Sequence, residues 1–253
     1  MLQCARWRLG FLWLIVTAAP ATAQDCHLPA VFQHQFQNDA TLSLSAANAG
    51  DPCTLTVALN AGAGQTASSF LHYRRPSPAQ SIRYGFRIDT KGLTNFGSSN
   101  LLHGFQLFSA SSPLIIDTGY LPSHLVLLSV NGGNPNPTLR LYAARSGFGS
   151  PVIIPMTQTL NTVRVEINVG AGSAGFVRYW FNAGFDDPPT GSIDNGGAGL
   201  DNAAWLGVIA AEVGVSSASA QFRSDYAGST IVLDQIESSD DTLFWTDFES
   251  SLQ

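Results

Sequence analysis

The chain has 253 residues and a formal net charge of −6, with 12 basic side chains (Lys91 the only lysine) against 18 acidic ones. That balance argues against a nucleic-acid binder or a protein that docks on anionic membranes, both of which need clustered positive charge. The 24 glycines and 13 prolines, with many Ser, Thr and Asn, suit short strands joined by many turns.

The N-terminus reads as an export signal. Arg6 and Arg8 form a positive n-region, Leu9 to Ala19 an apolar run too short to span a bilayer, and Ala21-Thr22-Ala23 a small-x-small cleavage site. Cleavage after Ala23 leaves residues 24–253 as one expected domain, secreted or periplasmic, with no transmembrane segment. Two arginines and no acid depart with the signal, which moves the net charge from −6 to −8. Cys4 departs too, so Cys26 and Cys53 remain as an even pair in an oxidising compartment. A disulfide between them is the default expectation, worth roughly 3–4 kcal/mol in the chain-entropy account.

Strand patterns then follow one another closely: Val31–Phe36, Ala40–Ser45, Thr54–Leu59, Ser69–Arg74, Ile82–Asp89, His103–Ala110, Leu125–Val130, Thr138–Ala143 and Val152–Met156. Val163–Val169, Phe176–Asn182, Trp205–Gly214, Ala220–Tyr226, Thr230–Glu237 and Leu243–Phe248 complete the set. Turn clusters such as Gly132-Gly133-Asn134-Pro135 and Gly170–Gly175 separate them. No apolar stripe of helical period runs for three turns. Alternation assigns faces: Ile82, Tyr84, Phe86 and Ile88 inward with Arg83, Arg87 and Asp89 outward, and Val163, Val165 and Ile167 inward with Arg164, Glu166 and Asn168 outward. The expected fold is therefore all-β, an antiparallel two-sheet β-sandwich with little helix. The aromatic tail Leu243–Phe248 is expected to pair with Val31–Phe36 and seal a sheet edge.

The order Val163-Arg164-Val165-Glu166-Ile167, Gly175-Phe176-Val177-Arg178-Tyr179-Trp180-Phe181, an acidic loop, Trp205-Leu206-Gly207-Val208 and Ile231-Val232-Leu233-Asp234 resembles the concanavalin A-like lectin/glucanase jelly rolls, close to laminin-G-like domains. The resemblance covers roughly Ser68 to Glu237. It implies glycan binding, polysaccharide cleavage or an adhesive role, and the fold alone does not choose among these.

The glycosidase branch of that superfamily carries its carboxylates as E-x-D-x-x-E, and none of the four glutamates (Glu166, Glu212, Glu237, Glu249) begins that pattern. Hydrolysis by Glu166 and Glu212 requires the two carboxyls to flank one cleft, about 5–9 Å apart. The outward aromatics suggest a sugar platform instead: Trp180 and Tyr142 offer ring faces, and Arg178 a hydrogen-bonding tip. Asp186, Asp187, Asp194 and Asp201 bring hard oxygen ligands to one Gly-rich loop, which suits Ca²⁺, although the same residues also cap turns. The five histidines show no i, i+4 pair; His34 and His72 lie within strand patterns, where a packed or surface imidazole is the ordinary case.

These readings converge on a non-catalytic protein that binds a carbohydrate or cell-surface ligand. A polysaccharide hydrolase or lyase of the same fold is the first alternative, and a structural or adhesion module with a protein partner the second.

Overall fold

The computed structural model describes residues 34–38, 40–45, 53–59, 67–89, 101–109, 124–131, 138–143, 151–156 and 160–239. Its strands, in chain order, are β1 (His34–Asn38), β2 (Ala40–Ser45), β3 (Thr54–Leu59), β4 (Ala67–Ala79), β5 (Ser81–Asp89), β6 (Leu101–Ser109) and β7 (His124–Asn131). They continue with β8 (Thr138–Ala143), β9 (Val152–Pro155), β10 (Leu160–Asn168), β11 (Phe176–Phe181), β12 (Gly191–Ile193), β13 (Val208–Ala218) and β14 (Thr230–Ser238). Two seven-stranded sheets result. Sheet I runs β1-β4-β13-β6-β7-β8-β9, and sheet II runs β12-β11-β10-β5-β14-β3-β2. Every pairing is antiparallel. The fold is the concanavalin A-like jelly-roll sandwich that the sequence pattern predicts.

The core lies between the sheets and is built by alternation. Leu55, Val57 and Leu59 of β3, Ile82, Tyr84, Phe86 and Ile88 of β5, and Val163, Val165 and Ile167 of β10 are buried from sheet II. Leu71, Phe105, Val130, Leu139, Leu141, Ala211, Val213 and Val215 meet them from sheet I. The Phe105 ring bridges the layers, 5.6 Å from the Tyr84 ring and 5.4 Å from that of Phe86, within the range where aromatic pairs attract beyond simple burial. At Gly214 (φ +134°) an added Cβ would stand 2.7 Å from the Ser69 carbonyl, so β13 reaches β4 at this point only as glycine.

One expected strand is a helix. Residues Ala220–Asp225 form α1, where Ser219 Oγ accepts the Phe222 N–H as an N-cap. Phe222 is buried and stacks on Tyr226 one turn on, ring centres 4.9 Å apart. The apolar spacing i, i+4 in Phe222 and Tyr226 carried this signal, but over six residues it is indistinguishable from a strand pattern. The segment Leu243–Phe248 and residues 1–23 lie outside the described residues. Among the described residues no helix is long and apolar enough to cross a membrane.

Candidate functional site

Each sheet has an outer face turned away from the core. The register of sheet II gathers Arg83, Arg164, Glu166, Arg178, Trp180 and Glu237 on its outer face: Glu166 stands opposite Arg83 and Arg178, and Arg164 opposite Gly85 and Trp180. Arg83 Nε donates to Glu166 Oε1 at 2.9 Å, and Arg178 Nη1 lies 3.5 Å from Glu166 Oε2. Arg164 Nε donates to Glu237 Oε1 at 2.5 Å, while its Nη1 donates to the Ala183 carbonyl at 2.6 Å. Glu237 is buried over Gly85, where a Cβ would stand 2.1 Å from its Oε1. Burial pushes the Glu237 carboxyl up, and the Arg164 charge and hydrogen bond oppose that shift.

The loop after β11 closes this face. Phe185 sits under two guanidinium groups, Arg83 at 5.1 Å and Arg164 at 5.8 Å from its ring centre. The Phe185 ring meets the Trp180 ring edge-on at 4.9 Å. Trp180 is only 3% exposed, and its indole N–H donates to the Asp187 carbonyl at 2.8 Å. The expected ligand platform is corrected here: Trp180 does project outward, but the loop covers it and leaves no ring face for a sugar. Arg178 is exposed, paired with Glu166, and stacked over the Phe176 ring at 4.1 Å. Tyr142 belongs to β8 of sheet I, on the far side of the sandwich, so the three residues form no common site.

The glutamate pair separates in the same way. Glu166 lies on the outer face of sheet II and Glu212 on that of sheet I, so the two cannot flank one scissile bond.

In the acidic loop, the side chains are engaged with backbone. Asp187 Oδ2 accepts the Gly184 N–H, Asp194 Oδ1 that of Gly197, and Asp201 Oδ1 that of Gly172. Asn202, buried, accepts from Gly170 and donates to the Asn168 carbonyl, tying the loop to the β10–β11 connection. Asp186 is exposed. Among the described residues no group of three or more His, Cys, Asp or Glu could hold a metal ion.

Sheet I carries a different chemistry. Its seven strands contain one acidic residue, Glu212, against Arg74, Arg75, Arg140, His34, His72, His103 and His124. In the register, Glu212 stands opposite His72 on one side and Gln106 on the other. The row continues through His34 beyond His72 and through Leu127 to Tyr142 beyond Gln106. His72 Nδ1 and Glu212 Oε1 are 3.3 Å apart, with the residues 7% and 2% exposed. Burial pushes the Glu212 carboxyl up, partly offset by the hydrogen bond and charge of His72. The pair is incomplete, because His72 Nε2 and Glu212 Oε2 are both buried with no hydrogen-bond partner. Unsatisfied buried polar atoms are costly and rare.

The sequence suggests Glu166 as the partner of Glu212, which the sheet order excludes, and reads His72 as a packed or surface imidazole, which its burial bears out as packed. The usable signal was parity. Leu71 and Val213 are inward, so His72 and Glu212 must share the opposite side, but only the β4–β13 pairing, across 140 residues, makes them neighbours.

No protein-family model matches the chain, and no curated protein matches it. Among solved structures it is similar to an endo-β-1,4-glucuronan lyase from the fungus Trichoderma reesei, with 12% identity, 85% of this chain and 92% of that one covered, and a TM-score of 0.51. It is also similar to a marine alginate lyase from Aplysia kurodai (12% identity, 82% and 90% covered, TM-score 0.50). An alginate lyase from a Chlorella virus matches at 5% identity, with 80% and 90% covered and a TM-score of 0.50. The expectation of a non-catalytic carbohydrate or cell-surface binder is overturned. These three structures, which share the fold across most of both chains, are polysaccharide lyases, and the aromatic platform on which that expectation rested is closed.

Proposed function

We propose that the chain is a polysaccharide lyase, cleaving a uronate-containing polysaccharide by β-elimination on the outer face of sheet I. One observation carries the reading: the buried His72–Glu212 dyad, with its two unsatisfied atoms, sits in a sheet whose strands hold three arginines and four histidines against a single acid. The fold neighbours named as glucuronan and alginate lyases support it. A hydrolase needs two carboxyls across the bond, and sheet I offers one.

Elimination asks three things of a protein. A base must take the proton from the ring carbon that bears the carboxylate, an acid must protonate the departing glycosidic oxygen, and the substrate carboxylate must be neutralised so that the carbanion-like state is reachable. Glu212, accepting at Nδ1, selects the tautomer that leaves a lone pair on His72 Nε2 and stabilises the imidazolium formed when that nitrogen takes the proton. The imidazolium then returns a proton to the leaving oxygen as the C–O bond breaks and the C=C bond forms. At the register position opposite Ala210, two residues along β4 from His72, stands Arg74, the residue type the third requirement calls for. Export through residues 1–23 belongs to the same proposal, since a polysaccharide is met outside the cytoplasm. Pairing of Cys26 with Cys53 belongs to it too, supported by Cys53 being buried and disulfide-bonded.

The test is to incubate the purified chain with glucuronan, alginate and a neutral β-glucan and follow the ultraviolet absorbance of the unsaturated uronate end. Absorbance should rise with a uronate polymer only, and His72→Ala should lower the rate by about 10²–10⁴-fold, the span of a lost general base. Reducing ends appearing without that absorbance would mean hydrolysis, and neither signal on any uronate polymer would end the reading.

A further inference from the structure

Strand β8 carries a second unsatisfied cluster that the dyad does not use. Leu139 and Leu141 are buried in the core, so Thr138, Arg140 and Tyr142 occupy the outer face of sheet I, each half-buried. Arg140 Nε and Thr138 Oγ1 are buried and make no hydrogen bond. Among the described residues no carboxylate pairs with Arg140, whereas Arg83, Arg87, Arg164 and Arg178 of sheet II are all paired with acids. Its register neighbours, Ser129 on β7 and Ile153 on β9, bring no charge. A half-buried guanidinium loses hydration and here gains nothing in return. Two such losses at alternate positions of one strand are what a site for a polar, anionic group looks like before the group arrives.

We infer that Arg140, with Thr138, forms an anion subsite that binds the carboxylate of a sugar other than the one undergoing elimination. The inference rests on the proposed lyase reading and deepens it. Three strand spacings, each about 4.8 Å, separate β8 from β13, and the Glu212 row meets β8 at Tyr142, two residues from Arg140, so the subsite lies more than about 14 Å from Glu212 across the sheet. That is beyond the carboxylate of the reacting ring, so the contact reads another residue of the same polymer. Binding energy is collected there only when one chain spans both places, and it holds the polymer equally in the ground state and the transition state. The protein is therefore specific for polymer over short fragments, and for chains charged at more than one residue.

The experiment is calorimetric titration of His72→Ala, which blocks turnover, with and without Arg140→Gln, against sodium alginate, glucuronan and a neutral β-glucan at low and high salt. Arg140→Gln should weaken uronate-polymer binding about tenfold, as expected for a charge-assisted contact, and reduce its salt dependence. Arg140→Lys should restore part of the affinity, and the melting temperature should stay unchanged because Arg140 holds no partner to lose. In the active background the same substitution should raise KM for polymer and leave kcat near the wild-type value. Polymer bound equally well by both proteins would overturn the subsite while leaving the lyase reading standing. No uronate binding together with no elimination by the wild type would overturn both.

Discussion

The two outer faces of this sandwich come from similar strands and have opposite electrostatic characters. Sheet II carries four arginines and four acids on its strands, and each arginine is paired with an acid: Arg83 and Arg178 with Glu166, Arg87 with Asp234, Arg164 with Glu237. A loop with Phe185 at its centre then seals part of it. Sheet I carries three arginines and four histidines against one acid, and leaves His72 Nε2, Glu212 Oε2 and Arg140 Nε without partners. A face that has satisfied its own polar groups gains little from a ligand. A face that has not is where binding energy is available. On the proposed reading stability lies on sheet II and chemistry on sheet I, and substitutions should separate the two.

The largest separation should come from Glu237→Ala. It removes the buried carboxylate and leaves the partly buried Arg164 with only the Ala183 carbonyl, among the described residues, as hydrogen-bond partner, which costs about 3 kcal/mol for a broken, mostly buried pair. Chemical denaturation should show that loss, while elimination at a temperature well below the melt should be unchanged. A stable protein with reduced turnover would reverse the assignment of the faces. Asp234→Ala tests the same division more gently. Arg87 donates to Asp234 through Nε and Nη2, both at 2.6 Å, and the hydrogen bonding to Asp234 holds the guanidinium above its usual range. The pair is partly solvated, so about 1 kcal/mol is expected, again without a kinetic effect.

Much of this architecture was legible in the sequence because the side-chain period of a strand is short. Ile82, Tyr84, Phe86 and Ile88, or Val163, Val165 and Ile167, declare their face within one element, and the bounds of β2, β3 and β8 follow from turn residues on either side. The site was not legible for a related reason: it depends on which strands neighbour each other. Net charge concealed it further. An overall −6 argues against a polyanion ligand, yet among the described strands the histidines and three of the arginines lie on sheet I with a single acid, Glu212. Trp180 shows the converse limit. Parity placed it outward correctly, but whether an outward ring is open or covered depends on the path of a loop, and no local pattern encodes the Trp180 N–H to Asp187 carbonyl bond.

The smallest expected effect tests the character of sheet I itself. Burial raises the Glu212 carboxyl above its ordinary value, so the folded protein keeps that proton to a higher pH than the unfolded chain does. Between the ordinary carboxylate range and the raised folded value, unfolding releases a proton. Stability then falls as pH increases, because the slope follows the protons bound unfolded minus those bound folded. The contribution is fully present below the unfolded pKa and is lost as pH climbs through the folded one. Glu212→Gln keeps the shape and an acceptor for His72 but cannot ionise, so its melting temperature should gain on the wild type as pH rises from about 4 to about 8. Glu237, raised for the same cause, bends both profiles alike and cancels in the difference. The same variant should be nearly inactive in elimination, because an amide stabilises an imidazolium far less well than a carboxylate does. A flat difference curve would mean that Glu212 titrates as a solvated surface acid. Sheet I would then be a wet face like any other, without the dry dyad that the lyase reading requires.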